Sequence, residues 1–466
     1  MSTTDTIAAI ATPPGRGGVG IIRLSGKQSL EIAQNLIAKD KKGKDKGAAS
    51  STEKPKQLKA RYAHYVTFYS AKQSILDSGL VLYFPGPNSF TGEDVVELQG
   101  HGGPVIMQML LDRVLELGAV AAKPGEFSER AFLNDKIDLA QAEAIADLID
   151  SSSNAAALSA VRSLQGEFSN AIYALLEQLI ALRMYVESAI DFPEEEIDFL
   201  SDGVVLSKIE TLQQAFAVVK QQAGTGQLLQ SGFKLALAGR PNAGKSSLLN
   251  VLSGTETAIV TDVEGTTRDS ITVTVDFDGL PVHITDTAGL RDSQDKVEKI
   301  GIDRARKIIS EVDHVLLLVD ANRQQDLAEV LSKEQLNKLD KNELTVVYNK
   351  IDLVDSLPKD ALGYPFLPIS VATKNGIAEL KNKIEMIAGY QSEDSNVFSA
   401  RTRHLNALNA ADNHVAAGKK QLLENKAGEL LAEELHQAQH LLNTITGEFS
   451  NDDLLGEIFS SFCIGK

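Results

Sequence analysis

The stretch that decides the fold is Gly239–Ser246, which reads Gly-Arg-Pro-Asn-Ala-Gly-Lys-Ser. Before it, Phe233–Ala238 is an almost unbroken apolar run that predicts a buried parallel strand. After it, Ser247–Leu252 has the apolar spacing of the first turns of a helix. A strand, a glycine-bounded loop and Lys-Ser at a helix start predict a P-loop, whose backbone N–H groups surround phosphates. We expect Lys245 to reach the β- and γ-phosphates and Ser246 to hold Mg²⁺.

Two further motifs follow in the order that a nucleotide-binding domain requires. Asp286–Gly289 (Asp-Thr-Ala-Gly) comes directly after an apolar run, and Asp286 is expected to hold the Mg²⁺ shell through water. Asn349–Asp352 (Asn-Lys-Ile-Asp) also follows a predicted strand. The Asp352 carboxylate can accept both N1–H and the exocyclic amine of guanine, whereas adenine offers no such donor pair. The predicted nucleotide is therefore GTP.

Two departures from a Ras-like pattern bear on mechanism. Leu290 stands where Ras-like proteins place a water-orienting glutamine, so another polar group must orient the water. Glu298 is the first candidate, and Asp292 and Asp295 are alternatives. No arginine is placed as a finger, and a monovalent cation held by Asn242 and the segment 261–267 would supply the missing positive charge.

Length and composition set the outer limits. The chain has 466 residues, a net charge of -17, no tryptophan and one cysteine, Cys463. This length predicts about three domains. The single cysteine fits a reducing compartment, and the absence of a signal sequence or a long apolar run predicts a cytoplasmic protein. The negative charge argues against a general electrostatic grip on nucleic acid, so any RNA contact needs a local basic patch or a second protein.

The pattern predicts a multidomain α/β plus all-α fold. Residues 1–135 are expected to form an α/β domain, 136–230 and 392–466 two parts of a helical domain, and 231–391 a Ras-like P-loop GTPase domain inserted between them. The predicted strands in the first domain are Ile7–Ile10, Val19–Leu24, Ala63–Phe68 and Leu80–Phe84, and the predicted helices are Ser29–Ala38 and Gly103–Leu117. The helical face of the second domain is expected to bury Phe168, Ile172, Leu175, Leu176, Leu179 and Val186.

Two basic segments each have two possible interpretations, and a repeated tetrapeptide predicts helix starts. Lys39–Lys59 is expected to be a solvated surface insertion, the alternative being an RNA-binding tail. Arg401, Arg403, His404, Lys419 and Lys420 form either a basic patch for tRNA or a solvated helix face. Gly-Glu-Phe-Ser occurs at Gly125, Gly166 and Gly447, and each serine is expected to act as a helix N-cap.

The motifs together resemble the MnmE (TrmE) family of tRNA-modification GTPases, a branch of the TrmE-Era-EngA-like GTPases. The segments that carry the resemblance are Gly239–Ser247, Gly265–Asp269, Phe462–Lys466, Ala11–Gly20, Phe90–Gly103 and Pro124–Lys136. The resemblance covers nearly the whole chain, and the lysine-rich insertion is its main departure.

The resemblance implies a folate-binding and dimerisation role for the N-terminal domain. The cofactor would be a 5-formyl- or methylene-tetrahydrofolate derivative, contacted by Arg23, Glu97, Lys136 and Lys466. His101, which lies between glycines, matches a family loop position, and we prefer a loop role to a metal role.

The resemblance also implies the residues of the GTPase site. The family pattern places Mg²⁺ on Ser246 and Thr267, and K⁺ on Asn242, Thr261, Val263 and Thr266. Glu298 would orient water indirectly, with Asn242, Lys245, Arg268 and Asp269 assisting catalysis or closure. The full set of predicted nucleotide contacts is Asn242, Ala243, Gly244, Lys245, Ser246, Ser247, Thr261, Asp262, Val263, Glu264, Gly265, Thr266, Thr267, Asp286, Thr287, Ala288, Gly289, Asn349, Lys350, Asp352, Ser370, Val371 and Ala372.

The implied activity is K⁺-activated GTP hydrolysis coupled to tRNA modification. A homodimer would act with an FAD-dependent MnmG/GidA-like partner, in a heterotetramer, to add a carboxymethylaminomethyl group to C5 of wobble uridine 34. The alternative is a regulatory or ribosome-assembly GTPase without modification chemistry. The folate-domain motifs and the terminal Cys-Ile-Gly-Lys favour the first of these hypotheses.

Overall fold

The computed structural model describes residues 5–38, 57–191, 203–240, 242–254, 272–286, 311–323, 343–356, 361, 363–390, 397–448 and 452–465. The chain forms two compact units, one drawn from residues 1–146 and 443–466 and the other from residues 147–442. Most of the lysine-rich segment, residues 39–56, lies outside the described residues. None of the helices described has the length and apolar character needed to cross a membrane.

The elements follow the chain in two groups. The described strands are β1 (Ile7–Ile10), β2 (Gly20–Ser25), β3 (His64–Tyr69), β4 (Ile75–Phe84), β5 (Val95–Gly100), β6 (Val120–Ala121), β7 (Phe233–Gly239), β8 (Thr272–Phe277), β9 (Leu280–Asp286), β10 (His314–Asp320), β11 (Leu344–Asn349) and β12 (Phe366–Pro368). The described helices are α1 (Ser29–Ile37), α2 (Pro104–Glu116), α3 (Glu126–Leu133), α4 (Leu139–Asp150), α5 (Asn154–Leu164), α6 (Glu167–Asp191), α7 (Val204–Ser231), α8 (Lys245–Gly254), α9 (Ile377–Ala388), α10 (Thr402–Asn425), α11 (Gly428–Thr446) and α12 (Asp452–Ser460).

The first unit is built on a mixed sheet with the order β3-β4-β5-β2-β1-β6. All its pairs are antiparallel except β1–β6. Buried side chains of β2 and β5, among them Leu24 and Leu98, pack with α1 and α2 on one face. Because side chains alternate along a strand, Arg23 and Glu97 point to the opposite face.

The four strands predicted in this unit are confirmed, with ends shifted by a few residues. Strand β5 was not predicted. In β5 the polar Glu97 and Gln99 alternate with buried Val96 and Leu98, so no apolar run marks the strand. The alternation of Val96, Glu97, Leu98 and Gln99 is the signal that could have identified this strand.

The carboxyl end of the chain packs within the same unit. Phe459 and Phe462 join Leu139 of α4 in a buried cluster. The Gly125 N–H donates to the Cys463 carbonyl at 3.5 Å, and a backbone bridge follows between Pro124 and Ile464. Thus residues 463–465 lie beside the start of α3.

In the Gly-Glu-Phe-Ser stretches, the residue that precedes the helix is the glycine and not the predicted serine. Gly125 and Gly166 have positive φ, 67° and 89°, and the helices α3 and α6 begin at the next residue. Ser128 and Ser169 therefore lie inside the first turn, where their buried hydroxyls have no hydrogen-bond partner among the described residues. The predicted N-cap role is wrong for these two serines, because the glycine occupies the position before the helix. The third serine lies outside the described residues.

In the second unit, α5, α6, α7 and α10 pack around a helical core. The predicted apolar face of α6 is confirmed: Phe168, Ile172, Leu175, Leu176, Leu179 and Val186 are all buried. Phe168 also stacks on Phe398, with ring centroids 4.8 Å apart. Phe398 thus brings the chain back to the helical core a few residues before α10 begins.

Between α7 and α10 lies a second sheet, with the order β12-β11-β10-β7-β9-β8. Its pairs are parallel except β8–β9. Strand β7 is central, and its neighbours β10 and β9 run parallel to it. Ligands of such sheets bind at the carboxyl ends of the strands, beside the strand where the order reverses. The loop after β7 holds that position.

The two connections to this α/β domain are held against each other. A Cβ on Gly226 of α7 would lie only 1.8 Å from the carbonyl oxygen of Phe398 in the returning segment. The Ser399 hydroxyl donates to the buried Asp147 carboxylate at 2.6 Å, and Arg401 donates to the same carboxylate at 2.8 Å. Ser163 donates to the Ser399 carbonyl at 2.8 Å. These contacts join the end of α7 and residues 397–401 to one part of the helical core.

Gly226→Ala is expected to lower the free energy of unfolding by about 2–3 kcal/mol, because the new methyl must displace a main-chain carbonyl. Gly224→Ala in the same helix is the matched control. A Cβ there meets nothing within 4 Å, so alanine should stabilise the helix by up to about 1 kcal/mol. Urea denaturation followed by circular dichroism measures both. Equal effects of the two substitutions would contradict the close crossing.

Candidate nucleotide and cofactor sites

The loop after β7 has the backbone of a phosphate cradle. Gly239, Asn242 and Gly244 all have positive φ, at 151°, 66° and 101°, and α8 begins at Lys245. A Cβ on Gly244 would lie 2.3 Å from Nδ2 of Asn349, so no larger residue fits there without displacing that side chain. The main-chain N–H groups at the start of α8 therefore stand at a sharply curved loop, as phosphate binding requires.

Lys245 is enclosed by this loop. Its side chain is buried, and Nζ donates to the carbonyls of Gly239 at 2.8 Å and Arg240 at 3.0 Å. These bonds hold the ammonium group over the concave side of the loop. Ser246 and Ser247 are exposed in the first turn of α8, where a hydroxyl can reach a cation bound beside the phosphates.

Asn349 connects the loop to the segments that are predicted to recognise guanine. Its Nδ2 donates to the Ala243 carbonyl at 2.8 Å, and its Oδ1 accepts from the N–H groups of Lys350 at 2.9 Å and Val371 at 3.1 Å. One buried amide thus joins three segments that lie far apart in the sequence. Asn349 therefore braces the loop, and its predicted contact with the nucleotide stays a prediction.

Lys350 lies across the same edge of the sheet. Its φ is 68°, and Nζ donates to the Asn242 carbonyl at 2.9 Å and to the Asp320 carboxylate at 2.7 Å. Asp320, at the end of β10, was not predicted as a site residue. Its position directly after the apolar run Val315–Val319 is the signal that could have identified it.

Asp352, predicted to bind guanine, is accessible at the same edge of the sheet. It lies in a 3₁₀ turn, Ile351–Leu353, and its carboxylate is exposed. The buried Ser370 hydroxyl donates to Asp352 Oδ1 at 2.5 Å, and Ser370 Oγ accepts from the Thr373 N–H at 3.2 Å. Ala372 is exposed in the same loop. The carboxylate is therefore fixed in orientation while it remains accessible to a base.

Several predicted site residues cannot be placed. The catalytic and cation-binding candidates Thr261, Val263, Thr266, Thr267, Arg268, Asp269 and Glu298 lie outside the described residues, as do Asp262, Glu264, Gly265, Thr287, Ala288, Gly289, Leu290, Asp292, Asp295 and Lys466. The main chain of Asp286 ends β9, in register with Leu237 of β7.

A cavity of about 420 Å³ lies on the face of the first sheet that α1 and α2 leave uncovered. Arg23 and Glu97 occupy paired positions on β2 and β5, and two hydrogen bonds of 3.0 and 3.2 Å join them. The Arg23 guanidinium also lies 5.8 Å from the Phe90 ring centroid and 5.9 Å from that of Phe127. Neither aromatic residue was predicted. The structure thus brings Arg23 and Glu97 together at one cavity, and their contact with a cofactor stays a prediction.

Lys136 lies beside the loop that carries Phe90. A Cβ on Gly92 would meet the Lys136 side chain at 3.4 Å, and Asn134 Nδ2 donates to the Thr91 carbonyl at 2.7 Å. The end of α3 is therefore fastened to the cavity loop. Whether Lys136 touches a cofactor stays a prediction.

His101 lies in the loop between β5 and α2, where it contacts Asp77. Its N–H donates to Asp77 at 2.8 Å, and its ring Nδ1 lies 2.7 Å from the same carboxylate. Burial acts to raise the pKa of Asp77, but the hydrogen bonds from His101 and Ser78 outweigh it and leave this pKa below its usual value. No group of three or more metal-ligating side chains occurs among the described residues.

The cations considered as a tRNA patch are engaged with acidic and polar neighbours. Arg401 pairs with Asp147, and Lys419 lies 3.1 Å from Glu210. Lys420 lies 4.0 Å from Glu424, and His404 is buried. Of these residues, only Lys420 is exposed, as the solvated helix face requires, whereas Arg401, Arg403 and Lys419 are half-buried.

The P-loop, the oriented aspartate and the parallel sheet together define a GTP-binding protein of the P-loop class. Known proteins extend this result: the MnmE helical domain profile matches residues 139–463, and that of the GTP-binding protein TrmE N-terminus matches residues 6–136. The chain belongs to the MnmE (TrmE) family of tRNA modification GTPases and is a GTP hydrolase.

Named relatives match over the full length. The tRNA modification GTPase MnmE of Saccharophagus degradans is 55% identical, covering 100% of this chain and 99% of its own. That of Pseudomonas paraeruginosa is 53% identical, covering 100% of both. The G domain of the T. maritima FeoB iron transporter is 30% identical over 34% of this chain and 98% of its own, with a TM-score of 0.28.

Proposed function

We propose that this protein is a K⁺-activated GTPase that modifies tRNA together with an FAD-dependent, MnmG-like partner. The pair adds a carboxymethylaminomethyl group to C5 of uridine 34 in certain tRNAs: a tetrahydrofolate derivative supplies the methylene carbon bonded to C5, and glycine supplies the carboxymethylamino part. We assign the cofactor site to residues 1–135, the nucleotide site to residues 231–391 and the helical domain to residues 136–230 and 392–466. The names of the relatives support a role in tRNA modification.

The described part of the nucleotide site fits GTP. The triphosphate matches the glycine cradle, which a Cβ would fill, and the buried lysine over it. Guanine matches the exposed Asp352. Ser246 and Thr267 would hold Mg²⁺, which neutralises charge on the phosphates. Asn242, Thr261, Val263 and Thr266 would hold K⁺. Of these four, only Asn242 is described, and its side chain is exposed at the loop.

Hydrolysis requires a polar group to orient water, because Leu290 cannot do so. We assign that role to Glu298, acting indirectly, with Arg268 and Asp269 in the switch segment. The chain's own contribution at the phosphates is positioning: Lys245 fixes positive charge where the loop curves, and Asn349 braces the loop against the base-recognition segments.

The observation that carries the folate proposal is the Arg23–Glu97 pair in the cavity of the first unit. Glu97 can accept hydrogen bonds from the ring N–H and amino groups of a pterin, while Arg23 orients the carboxylate. The walls include Leu82, Phe84 and Phe90, which suit a flat ring. Lys136 and Lys466 are assigned to the same ligand. When bound, the folate supplies the one-carbon unit.

A homodimer is supported by the same sheet face. Strand β3 lies at the edge of the sheet, and Tyr65 on it is 71% exposed. Leu80 and Leu82 of the neighbouring strand are only half-buried. An uncovered apolar sheet face of this kind is suited to a second copy of the chain. We place the protein in the cytoplasm, where tRNA and a reducing environment are present.

The test is reconstitution of the full chain with the flavoprotein partner, tRNA, GTP, a reduced folate and glycine. Mass spectrometry of tRNA nucleosides should show modified uridine 34, and omission of any one component should abolish it. Exchange of K⁺ for Na⁺ should slow GTP hydrolysis at least about tenfold, because the smaller ion fits the ligand set poorly. GTP hydrolysis with unchanged uridine would overturn the modification chemistry, and equal rates in both salts would overturn the K⁺ role.

A further inference from the structure

We propose that Arg61 is the residue of the N-terminal cavity that binds the acidic tail of the cofactor. This inference rests on the proposed folate function and assigns one more residue to that site. It makes Arg61 a specificity determinant for the carboxylates of the glutamate moiety, whereas Arg23 and Glu97 serve the ring end.

Arg61 is held at the cavity by its main chain and its side chain. Its N–H donates to the Tyr83 carbonyl at 2.8 Å, and its φ is 57°. Its Nη2 donates to the Asn88 carbonyl at 2.8 Å. A guanidinium carries five N–H donors, so this single bond to a neutral carbonyl leaves capacity for a bidentate carboxylate.

The charges of the lining show why the ligand should be anionic. Two arginines and one glutamate line the cavity: Arg23, Arg61 and Glu97. Glu97 and Arg23 neutralise each other through their paired hydrogen bonds. The lining therefore keeps one net positive charge, and Arg61 carries it. Arg61 is exposed, which places this charge at the solvent side of the cavity.

The polar and apolar parts of the lining match one ligand shape. Leu82, Phe84, Val95 and Phe90 provide an apolar wall in the same cavity as Glu97 and Arg61. A reduced folate has a ring with hydrogen-bond donors, an aromatic linker and a carboxylate-bearing tail. Its ring end matches Glu97, its linker matches the apolar wall, and its tail matches Arg61.

A double-mutant cycle between protein and ligand tests the assignment. The ligands are 5-formyltetrahydrofolate and its glutamate dimethyl ester, which keeps the ring and the size of the tail but removes its charge. Full-length wild type should prefer the acid by about tenfold, as measured by calorimetry or by competition. In Arg61→Gln this preference should fall to nearly one, and Arg61→Lys should restore part of it.

Lys59→Gln is the matched control, because it removes a nearby surface cation that does not line the cavity. Its acid-to-ester preference should equal that of wild type. If Arg61→Gln weakens both ligands equally, Arg61 only supports the Asn88 loop and the tail assignment is wrong. If wild type binds neither ligand, the folate function itself is wrong, and this inference is lost with it.

Discussion

Replacement of Lys245 by alanine is expected to lower the rate of GTP hydrolysis at least about 100-fold, and to weaken GTP binding as well. The Lys245 ammonium group is fixed by the Gly239 and Arg240 carbonyls at the concave side of the phosphate loop. Because it is positioned before the nucleotide arrives, little reorganisation is needed when negative charge develops on the phosphates. Phosphate release under single-turnover conditions separates the loss of catalysis from the loss of binding.

Lys234→Ala is the control for this substitution. Lys234 lies near the start of the same strand, β7, whereas the phosphate loop follows the end of that strand. Its side chain is exposed. The Lys234 variant should hydrolyse GTP at the wild-type rate, and circular dichroism should show that both variants are folded. A Lys245→Ala variant that retains more than about one tenth of wild-type turnover would refute the role of this lysine.

Asp352→Asn is expected to weaken GTP binding by roughly 100-fold or more and to improve the binding of xanthosine triphosphate. Guanine presents two donors, N1–H and the exocyclic amine, to a carboxylate that Ser370 holds in place. An asparagine amide replaces one of the two acceptors by a donor. Xanthine carries a carbonyl in place of the amine, so it fits the changed pair.

Fluorescence competition with both nucleotides measures this change in specificity. Asp355→Asn provides the matched control, because Asp355 is exposed in the same stretch outside the guanine-recognition residues. Its GTP affinity should be unchanged. If Asp352→Asn loses both nucleotides in equal proportion, the aspartate supports the fold of the loop and does not read the base.

The sequence predicted those parts of the site that depend on local pattern. The strand before Gly239 and the helix after it are short-range features, and their alternation and spacing are visible in a few residues. The same holds for Asn349–Asp352, where an apolar strand ends in a polar turn. Arg23 and Glu97 came from resemblance to a family, and the paired register of β2 and β5 places them together.

The features that were missed depend on contacts across long stretches of sequence. Asp320 is joined to Lys350 only by the parallel pairing of β10 and β11. Phe90 faces Arg23 only because its loop folds back over the sheet. The serines of the Gly-Glu-Phe-Ser stretches were misjudged for a local reason, since the positive φ of the glycine already ends the preceding segment. Propensity alone does not decide between two neighbouring cap positions.

The close crossing at Gly226 has a consequence for how a nucleotide-binding domain can interrupt a helical one. Bringing distant chain ends together costs conformational entropy, which grows slowly with the length of the loop. Here the folded insert returns its own end to the place where it left, because Phe398 lies directly on α7. For the helical core, the distance between the two ends of the insert is therefore as short as that between the ends of a short loop. Because its two ends already meet, the insert adds little entropic cost to the folding of the helical core around it.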